Sequence, residues 1–191
     1  MALLKFKKDD GPTAGSLGAD VEALLENYSI EVMPRTAEKV EDFCSILPAG
    51  TRVYIAHIAG TPIEDMVATA KRLTSDGFPV MPHFPARIIK DKHTLKDWIL
   101  RYQGEANVDQ ALLLAGGVDT PQGDFHNSMQ LLECGAFDKA GFRRLHVAGH
   151  PEGNKDIDPD GGIINVEKAL LWKQAFSDRS DANMAITTQF A

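Results

Sequence analysis

Hydrophobic positions along the chain fall into two alternating rhythms. Short runs with period-two alternation or continuous apolar character recur at 28–33 (YSIEVM), 52–58 (RVYIAHI), 78–84 (FPVMPHF), 110–116 (QALLLAG), 143–149 (RRLHVAG) and 183–190 (NMAITTQF). Each is bounded by turn formers and is rich in β-branched or apolar residues, which predicts six strands. Between them the period lengthens to that of a helix. Residues 36–47 place Val40, Phe43 and Leu47 at helical spacing, and 61–77 open on Thr61-Pro62 and close on Gly77. Further helices are predicted over 93–103, 125–138 and 164–177. Strict alternation of strand and helix implies parallel strands joined by right-handed crossovers, and therefore an α/β class.

Two α/β architectures are open, a closed (β/α)8 barrel of the TIM type and an open doubly wound sheet. Nothing resembling GxGxxG opens the first helix, and polar residues gather at the carboxyl ends of several strands, where a barrel builds its site. The barrel is the expectation, with about six βα units in this chain, so that two strands are wanting at the carboxyl-terminal side. Residues 1–27 are expected to form an amino-terminal extension with a short helix over 18–27, and 28–191 the barrel, incomplete at its carboxyl-terminal side.

Side-chain alternation then sorts the polar residues within each strand. In YSIEVM, Ile30 and Val32 share one face, leaving Glu31 on the other. Leu145 and Val147 point outward toward helices while His146, Ala148 and His150 point inward. Met81 and His83 point inward on the third strand, as do Ala185, Thr187 and Gln189 on the sixth. Glu31, His83, Asp119, His150 and Gln189 are thereby expected to converge near one barrel mouth. The loop 153–162 (GNKDIDPDGG) follows a strand end and is the most polar in the chain.

Composition narrows the function. With 43% hydrophobic and 25% charged residues the chain is ordinary globular material, and no run approaches the roughly 18 apolar residues of a membrane span. MALLKFKKDD lacks the pattern of a cleaved leader, so a cytoplasmic location is expected, with no membrane partner. A net charge of −7 argues against nucleic acid as a partner and for a small molecule. The basic stretch Arg87, Lys90, Lys92 reads as a solvated loop that could also meet an anionic tail. Cys44 and Cys134 lack metal spacing and read as free thiols.

Several segments resemble, in order, those of methylenetetrahydrofolate reductases. SIEVMPR resembles the first-strand SFEFFPP of that family, MPHF its PHLT, LLLAGGVDTP its LALRGDPP, HVAGHPEGNKD its VAGYPEGHPE, and AITTQFA its ITQFFF. The resemblance implies a TIM-barrel oxidoreductase that reduces 5,10-methylenetetrahydrofolate to 5-methyltetrahydrofolate. It further implies a bound FAD that takes hydride from NADH or NADPH and passes it to the folate. On this reading Glu31 is the acid that helps open the five-membered ring, and a low-dielectric barrel interior is expected to raise its pKa. Asp119 lies near pterin and flavin, and Gln189 hydrogen-bonds the folate. His83, Gly117, Asp119, His150, Glu152, Asn154 and Lys173 occupy cofactor-binding positions.

Some positions depart from the family pattern. Its Arg-Gly-Asp reads Gly-Gly-Val-Asp here (116–119), the tyrosine of YPEGHPE is His150, its second histidine is Asn154, and a polar residue of strand two is matched by Ala56, followed by His57. These departures leave open a flavin-free relative with direct hydride transfer, or a non-catalytic folate-binding or partner subunit. A metal-dependent barrel hydrolase using His57, His83, His146 and His150 with Glu31 or Asp119 is a further alternative, although the expectation is that no metal is bound. A homo-oligomer is compatible with all of these.

Overall fold

The computed structural model describes residues 28–180 and 183–187. Six parallel strands lie in sequence order: β1 (Ser29–Val32), β2 (Arg52–Ile55), β3 (Val80–Pro85), β4 (Gln110–Leu114), β5 (Arg144–Ala148) and β6 (Met184–Thr187). All six predicted strands are present; β1, β2, β4 and β5 are shorter than predicted, β3 starts two residues later and runs on to Pro85, and the predicted end of the sixth lies outside the described residues. The expected helix over 18–27 and Gln189 lie outside the described residues.

Helices follow most strands: α1 (Pro34–Ala37), α2 (Ile63–Ser75), α3 (Lys92–Ala106), α4 (Ser128–Glu133), α5 (Ala136–Lys139) and α6 (Ile164–Arg179). In α2 the buried residues Met66, Val67, Ala70 and Leu73 form a stripe at helical spacing, while Glu64 and Asp65 sit in the first turn and Arg72 in the last, matching the helix dipole. Gly77 follows the carboxyl end with φ +88°, a conformation that admits glycine without strain. Asp91 caps α3, its carboxylate accepting from Thr94 N at 2.7 Å.

The predicted helix over 36–47 is a correction. Only Pro34–Ala37 is helical, although Phe43 is fully buried and Val40 and Leu47 pack against the core as the spacing required. Two side chains satisfy the backbone in another way. Asp42 accepts from Cys44 N at 2.9 Å, and the Arg72 guanidinium donates to the carbonyls of Ala37, Val40 and Glu41. Helical backbone pairing loses its advantage once those groups have other partners. The predicted helix over 125–138 is likewise two helices, broken at Gly135, where φ is +64°.

Alternation divides the sheet into two faces. Val53, Ile55, Val80, Phe84, Ala111, Leu113, Leu145 and Val147 join the buried helix residues in one large core. Phe84 is its centre, with ring contacts to Trp98, Tyr102, Phe137 and Phe142. On the other face Tyr54, Met81 and Leu112 form a smaller cluster with Leu114 against it. That inner face carries the polar residues.

Candidate active site at the carboxyl ends of the strands

Strand register places Glu31 beside Tyr54 and Tyr54 beside Met81, and sets His83, Leu112, His146 and Ala185 in one row. Glu31 and His83 meet across β2: His83 Nε2 lies 3.2 Å from Glu31 Oε2. This is ion-pair range, but the ring nitrogen makes no well-directed hydrogen bond. His83 is buried, whereas the Glu31 side chain keeps 35% of its surface exposed.

The electrostatic expectation for Glu31 is reversed. Contact with His83 lowers its pKa, outweighing a smaller upward push from burial. Alternation identifies the face but not the partner, and the partner decides the direction.

The inward-facing His146 is buried and bonded at both ring nitrogens. Arg144 Nε donates to His146 Nε2 at 2.8 Å, and Tyr54 Oη lies 2.7 Å from His146 Nδ1. A guanidinium can only donate, so Nε2 accepts and Nδ1 carries the proton toward Tyr54. Burial, then the charges of Arg144 and Arg52, push the pKa of this histidine down to about 4. His57 is held on one side only: Nε2 lies 3.1 Å from Thr61 O and the ring rests 4.7 Å from that of Trp98, while among the described residues the buried Nδ1 has no hydrogen-bond partner. Among the described residues no three histidine, cysteine or acidic side chains come together in a metal-binding group.

A cleft of about 470 Å³ opens where β4 and β5 end and α6 begins. Its lining includes Arg87, Gly117, His150, Asn154, Asn165 and Lys173. Lys173 is 9% exposed, and its ammonium donates to Ala148 O at 3.0 Å with no carboxylate among the described residues paired to it. Burial depresses its pKa. A buried cation of this kind is costly unless polar or anionic groups complete it.

Local sequence holds the walls in place. Asp158 is buried, and its carboxylate accepts from Asn165 N at 2.9 Å and Val166 N at 3.1 Å, tying the 153–162 loop to the first turn of α6. Arg87 donates to His126 O at 3.1 Å and Val118 O at 3.2 Å, spanning the β4–α4 connection. Gly116 has φ +92°, and a Cβ there would lie 2.9 Å from that of Pro85. The close approach and the backbone angle both select glycine.

The expected convergence is therefore divided. Glu31 and His83 meet, and Gly117, His150, Asn154 and Lys173 share the cleft. Asp119 and Glu152 are exposed and do not line it. Arg87, which reads from sequence as part of a solvated loop, does line it, and so does Asn127, which has no sequence signal beyond that of a helix cap. A scan against protein-family models finds none that matches this chain.

Proposed function

We propose that this chain is a (β/α) barrel oxidoreductase that reduces 5,10-methylenetetrahydrofolate to 5-methyltetrahydrofolate with NADH or NADPH. The observation that carries the reading is the buried Lys173, paired with no acid among the described residues, in a cleft at the carboxyl ends of parallel strands. Sequential strand order supports the barrel, since a doubly wound sheet reverses its order at a switch point and this one does not. The ordered SIEVMPR, AGHPEG and ITTQF segments support the substrate class.

The cleft residues fit the phosphate-bearing part of FAD: Lys173 supplies charge, and Gly117, with open space where a Cβ would be, leaves its backbone accessible. Lys173, His150 and Asn154 would hold it. Bound there, FAD would supply hydride transfer between nicotinamide and folate. Glu31 is ionised in the open site, beside His83. A pterin covering the exposed third of its side chain would displace water and move its pKa upward, so that Glu31 holds the proton needed at the ring nitrogen of the substrate.

A second reading, direct hydride transfer without flavin, draws on Asp119 lying outside the cleft. One experiment separates the two. FAD is titrated by visible absorbance, and NADH or NADPH oxidation is then followed with methylenetetrahydrofolate. Saturable FAD binding with folate-dependent oxidation supports the flavin enzyme, and folate-dependent oxidation without flavin supports the second. Absence of oxidation in both conditions refutes the reductase.

A further inference from the structure

We propose that the opposite end of the same sheet face binds a small oxyanion between Arg52 and Arg144. Both arginines open their strands, as does Gln110 between them, and all three lie two residues before an inner-face side chain: Tyr54, His146 and Leu112. Alternation therefore sets them together on the inner face at the amino-terminal end, away from the cleft.

Among the described residues, their hydrogen bonding is incomplete. Arg52 Nη2 reaches Gln110 Oε1 at 3.5 Å, the limit of a hydrogen bond, while its Nε is buried without a partner. Among the described residues, Arg144 makes one side-chain bond, donating through Nε to His146. Among the described residues, the ion pairs of arginine are made by Arg101 and Arg143, and neither Arg52 nor Arg144 has a carboxylate within reach. Interior guanidiniums ordinarily close on a carboxylate or phosphate through parallel N–H donors.

Here two such forks remain open, partly exposed, with the Gln110 amide nitrogen as a further donor. The chemistry fits an anion with several oxygens, a phosphate or a carboxylate. Such an ion would neutralise the charges that depress His146, and that histidine reports occupancy.

The test is an NMR titration of the His146 ring, with inorganic phosphate at constant ionic strength and chloride as the control. The expected result is a saturable shift in phosphate, with a higher apparent pKa for His146. Arg52→Gln and Arg144→Gln should each weaken the dissociation constant about tenfold or more. Arg52→Lys, which keeps the charge, should weaken it less, and Lys173→Gln in the other cleft should leave it unchanged. Succinate acting in place of phosphate would support the site with a carboxylate as its ligand. Equal effects of phosphate, succinate and chloride would overturn the proposal, and so would a shift that survives both arginine-to-glutamine variants or vanishes in Lys173→Gln.

Discussion

Replacing Lys173 by methionine separates the cost of a buried charge from its use. The residue is 9% exposed and, among the described residues, its ammonium bonds only to Ala148 O, so it is a desolvated cation with one neutral acceptor there. Methionine retains the apolar stem and removes the charge. Loss of one charge-assisted contact to an anionic ligand is worth about 1.5–3 kcal/mol, or roughly a ten- to 150-fold weaker dissociation constant. Stability should move the other way, holding or rising by about 1 kcal/mol, because an uncompensated buried charge is removed.

The sign with pH follows. The folded pKa of Lys173 lies below its unfolded value, so the unfolded chain binds more protons between the two. Wild-type stability relative to Lys173→Met should therefore increase as pH rises from the folded pKa toward about 10.4. Urea unfolding at several pH values gives the stability, and calorimetric titration with FAD gives the affinity. A variant that binds FAD as tightly as wild type, or that loses stability at neutral pH, would refute the account of Lys173 as an uncompensated anion contact.

Three further predictions bear on the site. Asp158→Ala removes the carboxylate that accepts from two α6 amides, and should cost about 1–2 kcal/mol while accelerating amide hydrogen exchange at Asn165 and Val166. His146 has a folded pKa near 4 against an ordinary value of about 6.5, so its contribution to stability is present above 6.5 and is lost as pH falls toward 4. His146→Gln should flatten that part of the stability profile in denaturant melts. Gly123→Ala would put a Cβ 1.8 Å from Lys90 O, so the loop must move and the lining at Asn127 and Ser128 with it, visible as a lower melting temperature and weaker FAD binding.

How much was legible in the sequence depended on how local the deciding contact was. The six strands follow from runs of apolar residues bounded by turn formers, and alternation correctly sets Leu145 and Val147 opposite His146. Residues 36–47 escaped because Arg72, about thirty positions away, takes the carbonyls that a helix would have paired. Glu31 was placed on the inner face by its own strand, yet the direction of its pKa belongs to His83, two strands over. Arg87 reads as one charge in a basic stretch, and only the folded β4–α4 connection turns it into a wall of the cleft.

Strand order in this sheet also governs how the molecule can be assembled. Each strand pairs with the one made just before it, β1 with β2 through to β5 with β6. A chain emerging from the ribosome can thus extend its sheet one unit at a time, every newcomer finding its template already synthesised. None of the five pairings has to wait for a strand beyond the next one in sequence.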